Sequence, residues 1–472
     1  MSDRLFKLQR DAFGRERCPA LAVRRDRLAR LMSLVVDNEA KFVAAVDRDF
    51  GGRSGHETRL AELYIVAAEI ADARRHLARW MRPERVSTPL HLLPGRARIE
   101  RQPVGVVGVI SPWNYPVQLA LAPVVGALAA GNRVLLKPSE LTPATSTLLQ
   151  ELVAKSFAED EFAVVLGDAE VGRAFTRLPF DHLFFTGSTA VGRAVALAAA
   201  ENLTPVTLEL GGKSPALVAP DADLALTAPR LMAGKLLNAG QTCIAPDYAL
   251  VPRGKVEEFV RLFRETASRF YPRILDNPDY AAIINSRHYE RLERLIGDAR
   301  AKGARIETID PAGELAGAHG SPQLRRMAPT AIADVTDAMT VAREEIFGPL
   351  LPIVAYDTLE DAIGYVNARP RPLALYYFDD NRTRIRHVLQ NTVSGGVTIN
   401  DTVYHFAQEE LPFGGIGASG MGSYHGRDGF NTFSHAKGVF LQSRLTPTSL
   451  MTPPYDAWFQ RIIRFLIRSH GG

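Results

Sequence analysis

Cysteine is scarce: the 472 residues hold two, Cys18 and Cys243. Two cannot build a disulfide framework, and so few in so long a chain point to a reducing compartment. Charge of one sign is also lacking. The formal net charge is +4, and no run of five like charges occurs, so a nucleic-acid partner is not implied. Residues Met1 to Arg10 contain no apolar h-region, so no secretory signal is read there and a cytoplasmic location is expected. The mostly apolar stretch Val117 to Gly131 is shorter than the roughly 20 residues that span a bilayer. It also contains Gln118, Pro123 and Gly126, which makes it a buried core helix. Metal-ligand spacing is missing too, and no metal is expected. His56-Glu57 begins like a zinc-binding helix, but Leu60 stands where the second His is required.

What is present is a globular composition, 46% hydrophobic and 23% charged, so disorder is not expected. At roughly 100–200 residues per domain the length suggests two to four domains. Apolar positions at helical spacing mark Asp11 to about Phe50, then Leu60 to Trp80. Pro83, Pro89 and Pro94 punctuate short β-like segments, a composition suited to an arm or a subunit contact. Strand and helix signals then alternate. Strands are expected at 104–110, 134–136, 162–166, 182–185 and 205–208, and helices at 117–130, 142–157, 171–177 and 190–200. That alternation predicts a parallel sheet with helices on both faces. Beyond Gly211 a second α/β region follows, with a helix over 222–238, a strand over 248–251, a helix over 255–270, and surface loops and a short strand over 302–327. Alternation resumes from Pro349 to Ile399. The fold class is thus α/β.

Several short motifs carry residue types suited to chemistry. Cys243 sits in Gly240-Gln-Thr-Cys-Ile-Ala-Pro246, where backbone N–H groups can lower a thiol pKa and face an oxyanion. The alternative is a buried, inert thiol. Cys18, among Arg15, Glu16 and Arg17, reads as structural or exposed. Glu209 falls where a strand ends before Gly211-Gly212, so its carboxyl emerges at the ligand-binding edge of the sheet. It is either a general base or a partner of Lys213 or an arginine. Gly187-Ser-Thr-Ala-Val-Gly192 is a phosphate-cradling turn in type. Thr189 breaks the Gly-x-Gly-x-x-Gly fingerprint, and Arg193-Ala194 excludes the P-loop. Lys137 and Glu140, three apart at a strand end, suit ribose hydroxyls or a solvated ion pair. Glu345 with Phe347 suits a ribose and a flat ring, or Phe347 fills a core.

Seven of these motifs stand in an order that resembles the aldehyde dehydrogenase superfamily, from about Arg10 to about Leu441. They are Pro112-Trp-Asn-Tyr-Pro116, Lys137-Pro-Ser-Glu140, Phe185-Thr-Gly-Ser-Thr189, Glu209-Leu-Gly-Gly212, Gly240-Gln-Thr-Cys243, Glu345-Ile-Phe-Gly-Pro349 and Leu411-Pro-Phe-Gly-Gly415. Ser419-Gly-Met-Gly-Ser-Tyr-His-Gly426 with Phe433-Ser-His435 is similar to the class 3 branch. His405-Phe-Ala-Gln-Glu-Glu-Leu411 and the Pro-Pro-Tyr tail resemble bacterial coniferyl aldehyde dehydrogenases.

The resemblance implies Cys243 as nucleophile, Glu209 as the base that activates water, and Asn114 with the Cys243 N–H as the oxyanion site. It implies Lys137 and Glu140 at the adenosine ribose, Gly187, Ser188 and Gly192 at the phosphate turn, and Glu345 with Phe347 at the nicotinamide side. The cofactor it implies is NAD, with NADP accepted; Glu140 would repel a 2′-phosphate. The domains it implies are a Rossmann-like cofactor domain (1–82 and 103–209) and a catalytic domain (210–420), with 421–435 returning to the first. An oligomerisation arm (83–102 and 436–445) makes a homodimer. The substrate would be an aldehyde, and Trp113, Tyr115, Tyr64 and Phe406 suit an apolar or aromatic one. An acylating enzyme that passes the thioester to coenzyme A, or a non-catalytic protein retaining the fold, are the alternatives. The tail 446–472 departs from the family pattern. Its residues Trp458, Phe459, Ile462, Ile463 and Leu466 alternate with Arg461, Arg464 and Arg468, which suits either docking on its own subunit or a peripheral contact with an anionic membrane.

Overall fold

A computed structural model describes residues 2–444, 446 and 452–469. The chain divides into two compact units, Met1–Trp80 with Pro103–Ser434, and Met81–Gln102 with His435–Gly472. The second unit carries β1 (Glu84–Val86) and most of β2 (Arg96–Pro103) and β18 (Ser434–Leu441), joined in the sheet order β1-β2-β18. A helix, Ala457–Ser469, follows. Of the sequence-expected arm and tail, residues 445, 447–451 and 470–472 lie outside the described set.

In the first unit, β3 (Val106–Ile110), β4 (Arg133–Lys137), β5 (Phe162–Val164), β6 (His182–Gly187) and β7 (Val206–Leu210) form a parallel sheet in the order β7-β6-β3-β4-β5. These strands are almost wholly buried because helices cover both faces. A short strand at residues 420–421 pairs antiparallel with β7. The chain runs outward from β3 through β4 to β5, then returns to β3's other flank as β6. That reversal is the topological switch of a doubly wound sheet, and ligands bind outside the strand ends there. Ile110 is in register with Lys137 and with Phe185, and Thr186 with Glu209, so the carboxyl ends lie along one edge.

The remaining strands are β8 (Pro215–Val218), β9 (Tyr248–Pro252), β10 (Arg305–Thr308), β11 (Gly320–Ser321), β12 (Arg326–Met327), β13 (Thr330–Ala333), β14 (Leu350–Tyr356), β15 (Ala374–Phe378), β16 (Gly396–Ile399) and β17 (Gly420–Met421). Seven of them build a second sheet in the order β10-β13-β14-β9-β8-β15-β16, parallel except for the edge strand β10. β11 and β12 form a hairpin.

Departures from expectation have local causes. The first helix starts at Ser2, and Leu60 lies in a π-helical turn, Arg59–Tyr64, ahead of the helix Ile65–Trp80. The helix expected over 222–238 is Leu224–Leu236. It ends early because Asn238 and Ala239 take left-handed backbone angles, φ 51° and 50°. Strand β8, only four residues long, and the helix Ser286–Ala301 were not expected. Cys18 is exposed as expected, but in a loop rather than a helix.

Candidate active site

The chain leaves β3 at Ile110, and Pro112 ends the strand because it has no N–H to donate. The loop that follows carries Asn114 and leads into the helix Gln118–Ala130. That helix begins with unpaired N–H groups, and buried Glu62 meets two of them, from Val117 (2.7 Å) and Gln118 (3.2 Å). Glu62 in turn pairs with Arg53 at 3.0 Å, both side chains fully buried. Arg53 also donates to the Asn114 carbonyl (3.0 Å) and lies over the Tyr115 ring at 4.7 Å.

The same cluster reaches the Cys243 loop. Glu57 accepts the Asn238 N–H at 3.1 Å, and Asn238 Nδ2 donates to the Asn114 carbonyl at 2.9 Å. A left-handed residue other than glycine costs about 1–2 kcal/mol. Two in a row, Asn238 and Ala239, need such bonds to hold them. Gly240, also left-handed at φ 76°, lies so close to the Gly348 carbonyl that no Cβ fits. The Cys243 loop is thereby locked to the loop carrying Glu345. Glu57, the residue of the failed zinc pattern, is thus a part-buried hydrogen-bond acceptor. Burial lifts its carboxyl to about 7, although Arg53 and the Asn238 N–H pull it down.

A cavity of about 270 Å³ opens at the switch point. Asn114, Gly187, Ser188, Glu209, Cys243, Glu345 and Phe347 all line it, which is seven of the ten residues proposed from sequence. Lys137, Glu140 and Gly192 are not on its wall. Lys137 is buried at the end of β4 and pairs with half-exposed Glu140 at 3.0 Å. Burial raises the Glu140 carboxyl, but its own N–H and Lys137 outweigh that and hold it low. Gly192 packs on Leu210, whose side chain a Cβ would strike.

Burial lifts the Cys243 thiol to about 12, with Glu345 and Glu209 adding repulsion. The N–H groups of Cys243 and Ile244 oppose this, as expected from sequence, but burial wins. Glu209 is buried, and neither of its oxygens has a hydrogen-bond partner. Its carboxyl is therefore held well above the usual range. The alternative pairing with Lys213 does not occur: Lys213 is taken by Asp247 and by the carbonyls of Val341 and Glu344. Asn114 Nδ2 donates one hydrogen to the Gln241 carbonyl at 3.1 Å, leaving its second for another acceptor.

Glu345 accepts the Gly212 N–H at 3.1 Å, and its carboxylate fills the space a Cβ on Gly211 would need. Burial and Asp247 lift it to about 7. Phe347, left-handed at φ 49°, meets Trp113 edge-on at 5.3 Å, and Trp113 lies 5.0 Å from His288. His288 and Arg291 were missed from sequence because their helix, Ser286–Ala301, was. The signal existed, since the buried positions 289, 292, 295, 296 and 299 recur at helical spacing. Arg291 clamps the Glu345 and Ile346 carbonyls.

Cys243 also faces a second cavity of about 560 Å³. Tyr64, Tyr115 and Phe406 line this one, together with Leu119, Ile244 and Val403. Trp113 does not; it belongs to the first cavity. A cysteine set between a switch-point crevice and an apolar cavity suits a cofactor-dependent enzyme of the doubly wound α/β class.

Comparison with known proteins agrees. A sequence model of the aldehyde dehydrogenase family matches residues 3–439, and the chain belongs to that family; its chemistry is aldehyde oxidation. The coniferyl aldehyde dehydrogenase of Pseudomonas sp. is 50% identical over 455 residues, covering 96% of this chain and 93% of the relative. The substrate-bound structure of Staphylococcus aureus AldH has a TM-score of 0.93 at 37% identity, covering 99% of both chains. The structure of a Mycobacterium tuberculosis aldehyde dehydrogenase complexed with NAD+ has a TM-score of 0.83 at 30% identity, covering 94% of this chain and 91% of that one.

The unpaired Glu209 has a measurable cost. Its carboxyl sits above the value near 4.3 of an unfolded chain. Between those two values the folded chain keeps a proton that the unfolded chain has lost, so stability falls as pH rises through that window. Glu209→Gln removes this loss. The variant is expected to melt about 1–3 °C above wild type at pH 8, with a smaller gap at pH 5. A gap in thermal scans that does not widen with pH contradicts the burial argument.

Proposed function

We propose that this chain oxidises an apolar aldehyde, aromatic and coniferyl aldehyde-like by preference, to the carboxylic acid with NAD as cofactor. The observation that carries this reading is the position of Cys243 on both cavities at once, one apolar and one at the switch point. Tyr64, Tyr115 and Phe406 give the apolar cavity aromatic walls that suit an arylpropenal, and a medium or long aliphatic chain would also fit.

The donor set on the other side suits a dinucleotide. Ser188 caps the helix Thr189–Ala200, so that helix turns its N-terminal N–H groups toward Gly187 and Ser188, where a pyrophosphate would bind. Glu345, fixed by Gly212, suits a ribose, and Phe347 with Trp113 suits a flat ring. Lys137 and Glu140 at the neighbouring strand end suit the adenosine ribose, and the Glu140 charge disfavours a 2′-phosphate, so NADP is the poorer cofactor. Bound there, NAD supplies the hydride acceptor.

The protein's part is to bind, orient and move protons. The Cys243 thiol gives its proton to water in the cavity and its sulfur bonds to the aldehyde carbon, giving a thiohemiacetal. The oxyanion so formed is met by the second Asn114 amide hydrogen and by the Cys243 N–H; one such donor is typically worth about 10²–10³ in rate. Loss of hydride from that carbon leaves a thioester. Glu209, once ionised, takes a proton from water as the water oxygen bonds to the thioester carbon. The C–S bond then breaks, the acid leaves and Cys243 is restored. Cys243→Ala is expected to lower NADH formation from coniferaldehyde by about 10³-fold or more, read by absorbance. Undiminished NADH formation would remove the assignment.

Residues 83–102 and 436–445 serve as a dimerisation arm, and exposed Val86, Leu90, Leu93, Phe440 and Leu441 there support it. Light scattering of the lipid-free protein should give the mass of two chains; one chain contradicts this. The helix Ala457–Ser469 lies on anionic membrane surfaces. It carries Arg461, Arg464 and Arg468 and no acid, while Trp458, Phe465 and Ile467 are 51%, 70% and 67% exposed. No helix among the described residues is long and apolar enough to cross a membrane. Full-length protein should float with phosphatidylglycerol-containing vesicles and a chain ending at Thr452 should not. Equal flotation excludes the contact.

A further inference from the structure

A group of buried polar side chains outside this chemistry meets around one small cavity. It measures about 10 Å³, close to what a single water needs, and Glu69, Trp80, Tyr424 and His425 line it. Glu69 Oε1 and His425 Nε2 are 3.1 Å apart, with both side chains buried. Glu69 Oε1, Trp80 Nε1, the Tyr424 hydroxyl and both His425 ring nitrogens lack a well-formed hydrogen bond. Buried polar atoms are seldom left so, and a water held by two to four of them satisfies the set.

Tyr424 is shared between this cavity and the 270 Å³ cavity that holds Cys243 and Glu209. Its hydroxyl lies beside Gln118 and within electrostatic reach of Glu209 and Glu69. On the far side, Glu69, Asp72 and His76 follow one another along the helix Ile65–Trp80. His76 Nδ1 is 2.8 Å from Asp72 and 4.0 Å from Glu410, whose carboxyl is exposed. The groups facing Glu69 are therefore His425 and Tyr424 from one segment, Asp72 from its own helix and Glu409 from the loop before Leu411. Burial, with Glu409 and Asp72, lifts Glu69 to about 8, while burial and His405 push His425 down to about 3. At neutral pH the couple thus holds one proton on the carboxyl, 3.1 Å from a neutral ring nitrogen.

We propose that Tyr424, a bound water, Glu69 and His425 form the route by which the proton taken up by Glu209 leaves the buried site. The inference rests on Glu209 being the base. In each hop one O–H or N–H bond breaks and one forms. Through water in the cavity that both residues line, Glu209 gives its proton to the Tyr424 oxygen as Tyr424 gives its own to the water of the small cavity. The water protonates the Glu69–His425 couple as that couple releases its own proton past Asp72 and His76 to exposed Glu410 and from there to solvent. Glu209 returns to its ionised form with no change in charge elsewhere. Glu69 and His425 touch no substrate in this scheme; they act through Glu209.

The test is rapid-quench single turnover of the full-length enzyme with NAD and coniferaldehyde, following NADH and free acid separately in H₂O and D₂O. Glu69→Gln and Tyr424→Phe should form NADH within about twofold of wild type but release acid about tenfold more slowly. The deuterium effect on acid release should grow, because proton removal becomes limiting. Should Glu69→Gln fail to fold, His425→Gln reads the same step. Unchanged acid release and isotope effect, or NADH and acid slowed equally, overturn the relay. Acid release at the wild-type rate in Glu209→Gln would instead remove the base assignment beneath it.

Discussion

A carboxyl group with both oxygens buried and unpartnered is a costly thing for a fold to keep, and Glu209 is one. Replacing it with an apolar residue would suit the surrounding core, and pairing it with Lys213 was open to this chain. Instead Lys213 is spent on Asp247 and two carbonyls, and Glu209 is left free and hard to ionise. The Cys243 thiol is held neutral by the same burial, at about 12. Burial therefore works against charge on both groups in the resting chain. The N–H groups of Cys243 and Ile244 oppose that burial, and Asn114 lines the same cavity with one amide hydrogen beyond its bond to the Gln241 carbonyl.

Keeping such groups in place needs rigid loops, and two locks supply them. The first is the buried Arg53–Glu62 pair with Glu57, which ties the start of the helix Gln118–Ala130, the Asn114 carbonyl and the left-handed turn before Cys243 into one hydrogen-bonded body. The second is a pair of glycine contacts. Gly211 admits the Glu345 carboxylate, and Gly240 admits the Gly348 carbonyl. Both place the loop of Glu345 and Phe347 against strands and turns that carry Glu209 and Cys243. In each case the backbone comes closer than any side chain would allow.

Much of this was legible beforehand. The alternation of β3 to β7 with helices announced the parallel sheet, and motifs at strand ends were ordered along its carboxyl edge, so seven of ten expected residues meet in one cavity. What escaped was local in a different way. Four-residue β8 is too short for a periodic signal. Glu57 looked like half of a zinc pattern, and only the fold brings Asn238 to it across 181 positions. Gly192 stands off the cavity wall and packs on Leu210. Trp113 looked like a substrate residue and faces the other cavity. Residue type and spacing indicate what a side chain can do; which of two adjoining cavities it faces is a property of tertiary packing.

The central claim is a covalent bond between Cys243 and the substrate carbon that Glu209 resolves. Intact and peptide mass spectrometry of Glu209→Gln, mixed with NAD and coniferaldehyde and quenched in acid, measures this directly. The account predicts one acyl group per chain, on the peptide containing Cys243, formed only when NAD is present. An unmodified Cys243 in the quenched variant, or the adduct on Cys18, would contradict it.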